Sequence, residues 1–301
     1  MTPDIDIRGL DLRYGRQVAL RDVTLSIPGD GIVGLLGRNG SGKTTLLSVL
    51  AGLRRPSAGT VRMGGEDVFE HPRLMRRIAF VGSGPSSAGG LDDSDRVQDK
   101  LRRAARLRPT WDARLADDLQ RRFELSPRAR LSALSRGRQA ALAVVMGLAS
   151  RAPVTLFDEA HLGMDAPSRY AFYDALVEDY SAHPRTIVLS THHIDEVARL
   201  FEHVVILDRG HVLLHEDSDV LRARGAAVTG PAEAVDRTVG DDLPVLSERR
   251  LGGTKATVVY GPQVNGIRDR ARAEGLELGP VPLQDLFVHL TTRPHREEEQ
   301  R

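Results

Sequence analysis

Cysteine is absent from this 301-residue sequence, which excludes disulfide bonds, thiolate nucleophiles and metal sites with cysteine ligands. The absence is compatible with a reducing compartment. Aromatic residues make up only 4% of the chain, but hydrophobic residues make up 41% and charged residues 28%, as in ordinary globular proteins. Collagen-like, disordered and coiled-coil structures are therefore excluded for most of the chain. The length allows one large domain or two smaller ones.

Long hydrophobic runs are also lacking. The longest apolar stretch without a charged residue covers residues 139–150, whereas a membrane-spanning helix needs about 20 apolar residues. The first residues, MTPDIDIRGLDL, carry acidic side chains instead of a basic segment followed by an apolar one. We therefore expect neither a signal peptide nor a membrane-spanning segment in this sequence.

Charge of one sign is not in excess, and lysine is scarce. The chain has 42 basic and 41 acidic residues, whereas a protein that mainly binds nucleic acid usually carries a basic excess. We therefore expect no nucleic-acid partner. The only lysines are Lys43, Lys100 and Lys255, so a lysine at a motif position stands out against an arginine-rich background.

Residues 4–215 show the patterns of an α/β fold. Alternating apolar and polar positions at 4–13 and 17–27 predict a β-hairpin. The Arg-, Ala- and Leu-rich residues 95–150 predict a helical insertion, which makes up most of a predicted helical subdomain at about 84–150. Strands that alternate with helices predict a mostly parallel sheet with flanking helices. The predicted strands cover 31–36, 77–81, 154–157, 186–190, 204–207 and 211–214, and the predicted helices include 44–52, 168–180 and 195–201.

The character of the sequence changes near residue 216, so we predict two domains, 1–215 and 216–301. The second domain has no assignable motif. Its sequence predicts a small α/β accessory domain with a charged, disordered tail, PHREEEQR. Its role is left open between dimer stabilisation, regulation and structure alone. Its predicted strands cover 226–228, 245–250 and 255–260, and its predicted helices cover 231–239, 264–274 and 283–290.

A phosphate-binding loop lies between a predicted strand and a predicted helix. Residues 37–44, GRNGSGKT, match G-x-x-x-x-G-K-[ST]. Glycines let successive backbone N–H groups face phosphate oxygens, and the helix that follows directs its positive end at the same anion. We expect Lys43 to reach the β- and γ-phosphates and the Thr44 hydroxyl to bind Mg²⁺. The predicted nucleotide-binding residues here are Gly37, Arg38, Asn39, Gly40, Ser41, Gly42, Lys43, Thr44 and Thr45.

Two carboxylates follow the predicted strand 154–157. The carboxyl end of a parallel strand lies at the edge of the sheet where ligands bind. Asp158 is therefore expected to hold Mg²⁺ through water, and Glu159 to face the attacking water as general base. An Asp-Glu pair after a strand is weak evidence alone, since it is often a plain surface pair. The phosphate loop earlier in the chain favours the catalytic interpretation.

The order of motifs resembles the ATP-binding subunits of ABC transporters. After the phosphate loop come LSRGRQ at 134–139, FDE at 157–159 and STH at 190–192. The resemblance covers residues 4–215. It implies a P-loop NTPase core, an antiparallel β subdomain, a helical subdomain, and an ATPase that uses ATP and Mg²⁺. It also implies a second nucleotide-binding subunit, either an identical or a similar chain.

The resemblance assigns roles to further residues. Tyr14 matches the aromatic residue that stacks on adenine, although a tyrosine packed at a hairpin turn is the alternative. Ser135 and Gly137 match signature residues that contact the γ-phosphate bound by the opposite subunit. Asp165 matches a loop that contacts that subunit.

The resemblance also implies that His192 hydrogen-bonds the γ-phosphate, with a capped strand end as the alternative interpretation. His192 then completes a catalytic set with Lys43 and Glu159. The neighbouring His161 and His193 are interpreted as structural or exposed.

The sequence departs from the family pattern at several positions. Arg136 replaces the first glycine of the usual LSGGQ signature, which brings a bulky cation near the γ-phosphate or the helical surface, and Arg138 stands at its last position. Ser83 stands where the family has a glutamine that contacts Mg²⁺ and links the nucleotide to the membrane subunit. We keep Ser83 as a candidate metal residue, although its side chain is too short to reach Mg²⁺ directly. Met164 replaces the usual leucine.

The resemblance implies a function as the subunit that binds and hydrolyses ATP to energise a separate membrane-spanning permease. Export is favoured over import, and the chain is expected at the cytoplasmic face of the plasma membrane as a peripheral subunit. The alternatives are a soluble ABC-type ATPase and a nucleotide-gated regulatory module that scarcely hydrolyses ATP. The sequence does not identify the transported substrate.

Overall fold

The structure, a computed structural model, describes residues 2–82, 95–240 and 243–292. It contains two compact units, Met1–His192 with Leu207–Val212, and His193–Ile206 with Leu213–Arg301. The sequence boundary at 215 lies close to the start of the longer segment of the second unit and stays a prediction for the domain division. Within the described ranges, every helix is too short or too polar to span a membrane.

An antiparallel sheet of the first unit begins with a tight hairpin. Its turn is Gly15–Arg16, and Gly15 has φ of +60°, which a glycine adopts without steric cost. The strand order is β2-β1-β4-β5. The strands in the first unit are β1 (Ile5–Tyr14), β2 (Gln17–Ile27), β3 (Ile32–Gly37), β4 (Ala58–Met63), β5 (Glu66–Asp67), β6 (Ile78–Gly82), β7 (Val154–Asp158) and β8 (Thr186–Thr191).

A parallel sheet forms the centre of the first unit, where its strands run in the order β3-β8-β7-β6. Every residue of β3, β7 and β8 is buried. Apolar runs buried on both faces are typical of parallel strands covered by helices. The predicted parallel sheet is therefore confirmed. Two further strands, β9 (His203–Asp208) and β10 (His211–Asp217), also form as predicted.

The first unit contains six α-helices within the described residues. They are α1 (Lys43–Leu50), α2 (Pro72–Met75), α3 (Val97–Leu107), α4 (Ala113–Arg122), α5 (Arg136–Ala149) and α6 (Ala166–Ala182). Three of them, α3, α4 and α5, lie in the predicted helical insertion. The first part of the predicted helical subdomain falls on residues 83–94, which lie outside the described residues. The short helix α2, with His71 as its N-cap, was not predicted from the sequence.

The second unit contains an antiparallel sheet of order β12-β13-β11-β14. One face of this sheet packs against two helices around a core that includes Val228, Val235, Val259 and Ile267. The elements are α7 (Ile194–Val197), α8 (Ser218–Ala223), β11 (Gly225–Pro231), α9 (Ala232–Val239), β12 (Val245–Leu251), β13 (Thr254–Tyr260), α10 (Val264–Ala273), β14 (Glu277–Gly279) and α11 (Leu283–Thr292). The predicted α/β character is confirmed, while α8 and β14 were not predicted.

Candidate functional site

The candidate site lies where β3, β7 and β8 end. These strands are parallel, so their carboxyl ends meet at one edge of the sheet, where ligands bind in such folds. The phosphate loop follows β3, Glu159 follows β7, and His192 follows β8. Side chains that are far apart in sequence are thereby brought to one place.

The phosphate loop has the backbone that its glycines predict. Gly40 and Gly42 have φ of +79° and +109°, and a Cβ at Gly42 would lie 2.9 Å from the Ala19 carbonyl oxygen. Gly42 is the N-cap of α1, whose first N–H groups have no intrahelical acceptor. The buried Ser41 hydroxyl has no hydrogen-bond partner within the described part of the chain. These unsatisfied donors fit a phosphate group.

Lys43 is buried and lies inside the loop. Its Nζ donates to the carbonyl oxygens of Gly37 at 2.7 Å and Arg38 at 3.3 Å. The same Nζ lies 3.6 Å from Glu159 Oε1, in an ion pair that is almost completely shielded from solvent. The lysine therefore connects the phosphate loop to the carboxylate after β7.

Glu159 is the centre of the site. Its Oε2 accepts a hydrogen bond of 2.8 Å from His192 Nδ1, and His161 Nε2 lies 3.5 Å from the same oxygen. The backbone of Glu159 has φ of +49°, a left-handed conformation that is uncommon for residues other than glycine. The structure thus brings the predicted catalytic residues Lys43, Glu159 and His192 into contact.

Ser190 holds the Asp158 carboxylate at the end of β7 and the backbone of Glu159, the residue that follows. Its hydroxyl donates to Asp158 Oδ1 at 2.8 Å and accepts from the Glu159 backbone N–H at 3.0 Å. Asp158 and Ser190 are register partners in neighbouring strands, which explains the contact. The sequence analysis assigned no role to Ser190, and pairing between distant strands was the missing information.

The donor set at Asp158 and Thr44 fits a magnesium ion. Mg²⁺ prefers oxygen ligands and keeps several water molecules. Asp158 is 4% exposed, and Ser190 holds one of its oxygens, which leaves the other for a metal-bound water. Thr44 is exposed in the first turn of α1, beside the phosphate loop. Ser83, the third candidate metal residue, lies outside the described residues.

Tyr14 lies at the end of β1 beside the phosphate loop. Its hydroxyl is 3.5 Å from Thr45 Oγ1, and its ring is 41% exposed. The Arg54 guanidinium lies 4.9 Å from the ring centre. The alternative of a packed core tyrosine does not fit this exposure. An exposed aromatic ring next to a phosphate site is suited to stacking on a base, and this role of Tyr14 stays a prediction.

The signature residues lie at the start of α5. Ser135 is its N-cap and accepts a hydrogen bond of 3.3 Å from the Arg138 backbone N–H. A Cβ at Gly137 would lie 2.6 Å from the Gly163 carbonyl oxygen, so only glycine allows this close packing. Arg136 and Arg138 are exposed, and Arg138 forms an exposed ion pair of 3.8 Å with Glu124. Arg138 therefore lies on the exposed surface of the helical region.

Asp165 is the N-cap of α6. Its carboxylate accepts a hydrogen bond of 2.9 Å from the Ser168 backbone N–H. Hydrogen bonds from Ser168 lower the pKa of Asp165 below its ordinary value, so the group is charged at neutral pH. The side chain remains exposed, and its contact with a second subunit stays a prediction.

Comparison with known proteins identifies the family. The ABC transporter family model matches residues 20–161. The ABC transporter ATP-binding protein NatA of Bacillus subtilis is 32% identical and matches over 65% of this chain and 80% of its own length. Nod factor export ATP-binding protein I of Ralstonia nicotianae is 29% identical over 98% of this chain and 96% of its own length. Daunorubicin resistance ATP-binding protein DrrA3 of Streptomyces coeruleorubidus is 29% identical over 98% of both chains.

Solved structures with a similar fold are also ATP-binding subunits or cassettes. An ATP-binding subunit of an ABC transporter superposes with a TM-score of 0.64 and 25% identity, covering 73% of this chain and 92% of the other. A dimeric ATP-binding cassette bound to ADP and phosphate shares the fold, with a TM-score of 0.61 and 22% identity over 71% and 98% of the two chains. The chain therefore belongs to the ABC transporter family, as a subunit that binds and hydrolyses ATP.

Proposed function

We propose that this chain powers export through a separate membrane-spanning subunit, with Glu159 as the general base of ATP hydrolysis. The observation that carries the proposal is the contact of the buried Glu159 with Lys43 and with the half-exposed His192 beside the phosphate loop. Relatives whose names refer to export of Nod factors and to daunorubicin resistance match nearly the whole chain, which supports the export direction.

The first step is the binding of ATP with Mg²⁺. The loop N–H groups and the Ser41 hydroxyl receive the phosphates, Lys43 contacts the β- and γ-phosphates, and Tyr14 stacks on the adenine ring. Thr44 and Asp158 hold the metal, which neutralises charge on the phosphates when it is bound. An incoming γ-phosphate competes with the Glu159 carboxylate, because both bind the N–H donors of Lys43 and His192.

The second step is hydrolysis. Once Lys43 and His192 face the phosphate, the Glu159 carboxylate is released to accept a proton from the attacking water. The Ser190 hydroxyl accepts a hydrogen bond from the Glu159 N–H, so the backbone that carries the carboxylate stays in place during this exchange. The contacts of Glu159 with Lys43 and His192 therefore keep the base occupied until a γ-phosphate is present.

The dimer is proposed to be head-to-tail, with ATP between Lys43 of one subunit and Ser135 of the other. The exposed Ser135 at the start of α5 and the exposed, charged Asp165 at the start of α6 support this arrangement. Gly137 packs on the loop that leads to Asp165, so the two surfaces are connected within one subunit. Closure of the dimer on ATP and its release after hydrolysis would move the membrane subunit.

Mixed dimers test the shared site. Lys43→Ala and Ser135→Arg are each expected to lose ATPase activity, whereas an equimolar mixture should recover up to about a quarter of the wild-type rate, because mixed dimers contain one intact site. ATPase rates are measured before and after the two inactive variants are mixed. A mixture that stays inactive, although the chains exchange, would contradict the head-to-tail arrangement.

The membrane partner is tested by affinity capture from detergent-solubilised host membranes. The bait is the tagged Glu159→Gln variant loaded with ATP, and an untagged chain is the control. We expect mass spectrometry to identify a polytopic membrane protein in stoichiometric amount. Such a partner would place this chain at the cytoplasmic face of the membrane as a peripheral subunit. Recovery of soluble proteins or ribosomes alone would overturn the transport proposal in favour of a soluble ABC-type ATPase.

A further inference from the structure

His161 is a buried histidine beside the catalytic carboxylate, and the mechanism above does not use it. It is 1% exposed, although the sequence analysis interpreted it as a structural or exposed neighbour. Its Nε2 lies 3.5 Å from Glu159 Oε2, and its ring centre lies 5.7 Å from that of His192. Two histidines therefore share one oxygen of Glu159.

The two histidines differ in their freedom to move. The His192 side chain is 41% exposed, so it can turn towards a nucleotide. The His161 ring is enclosed, with the Tyr173 ring of α6 centred 6.5 Å away. The His161 carbonyl oxygen accepts a hydrogen bond of 3.1 Å from the Met164 N–H, which closes the loop around it. His161 therefore stays beside Glu159 when His192 leaves.

The distances allow Glu159 Oε2 to exchange its hydrogen-bond donor, from His192 to His161. In this structure His192 holds Oε2 at 2.8 Å, and His161 is at 3.5 Å. A hydrogen bond from a ring N–H spans about 3.0 Å, so the carboxylate must shift by only about half an ångström to reach His161. The opposite oxygen, Oε1, is the one that faces Lys43.

We propose that His161 is a positioning residue for Glu159 in the ATP-bound state. Its Nε2 holds Oε2 after His192 has turned to the γ-phosphate, and Oε1 is then directed at the attacking water. The proposal rests on the proposed role of Glu159 as general base. The groups that face His161 include Glu159 on its own loop, His192 after β8 and Tyr173 on α6, and Lys43 approaches the same carboxylate from α1.

Two substitutions separate the ring nitrogen from the ring volume. His161→Phe keeps a ring without a donor, and His161→Gln keeps an N–H donor of similar reach. We expect the Phe variant to lose kcat by about 10- to 100-fold, since small misplacement of a catalytic group costs up to about that much. The Gln variant should keep most of the wild-type kcat. KM and the affinity for a fluorescent ATP analogue should stay near wild type in both.

Three outcomes would overturn the proposal. These are an unchanged kcat in the Phe variant, an equal loss in the Gln and Phe variants, and a rise in KM without a loss of kcat. If the Phe variant does not bind the ATP analogue, His161→Leu replaces it as the donorless variant. The same substitutions at the exposed His183 serve as controls and should leave all parameters unchanged.

The Glu159→Gln variant separates this proposal from the one on which it rests. If Glu159→Gln still hydrolyses ATP, the assignment of the base is wrong. If Glu159→Gln is inactive and His161→Phe is fully active, the base assignment stands and the role of His161 is wrong.

Discussion

Replacement of Glu159 with glutamine is expected to reduce ATP hydrolysis by about 100- to 10,000-fold, the usual contribution of a general base. The glutamine has nearly the same shape, and its amide oxygen can still accept the hydrogen bond from His192, so the site should keep its structure. ATP binding should survive because Glu159 competes with the γ-phosphate for Lys43. Single-turnover hydrolysis and equilibrium binding of ATP measure the two effects separately.

Glu178→Gln is the matched control for this variant. Glu178 lies on α6, is largely exposed and pairs with Arg122, so the same chemical change there removes a surface ion pair only. Such pairs contribute about 0–1 kcal/mol to stability, and ATPase activity should not change. Wild-type turnover in Glu159→Gln would show that another group accepts the proton from water.

The phosphate loop and the two carboxylates were predictable from the sequence because each depends on local order. A strand, a glycine-rich turn and a helix follow one another within residues 31–52, and their chemistry needs no distant partner. The same holds for Asp158 and Glu159, which come directly after an apolar strand. These residues occupy the expected edge of the sheet, and the α/β fold is confirmed.

Contacts between distant segments were not predictable in the same way. Ser190 reaches Asp158 only because β7 and β8 are neighbours in a particular register, and one sequence does not give that register. His161 is buried between Glu159 on its own loop and the Tyr173 ring of α6, which is distant in sequence. Gly137 and Gly163 meet where the start of α5 packs on the loop before α6, and neither was expected to touch the other. The sequence therefore predicted the side chains that meet at the sheet edge and missed the contacts that hold them there.

The left-handed backbone at Glu159 explains why these missed contacts matter. A residue other than glycine with φ of +49° is held there by its surroundings, and the Ser190 hydroxyl accepts from its N–H. Turning the backbone at this point allows Asp158 and Glu159, which are adjacent in sequence, to serve different partners. Asp158 faces Ser190 and the proposed metal, whereas Glu159 faces Lys43 and His192.

Replacement of Lys43 with alanine is expected to remove both tight binding and turnover. A hydrogen bond to a charged group contributes about 1.5–3 kcal/mol, so MgATP affinity should fall by about 10- to 100-fold. The charge that stabilises the transition state is also lost, which should lower turnover by a further 100- to 1,000-fold, as estimated for loss of one such donor. The check is ATPase activity together with the increase in Tm that MgATP produces.

The Lys43→Ala variant should also be less stable without nucleotide, since the Gly37 and Arg38 carbonyl oxygens lose a buried donor. The cost of each unsatisfied group is about 1–3 kcal/mol, and Tm reports it directly. Lys255→Ala is the control, because Lys255 also bridges two acceptors, Asp236 at 2.6 Å and Glu248 at 2.7 Å, in the second unit. That variant should keep the full MgATP-induced rise in Tm. If Lys43→Ala keeps the rise as well, phosphate binding does not depend on this lysine, and the competition between Glu159 and the γ-phosphate for Lys43 would have to be abandoned.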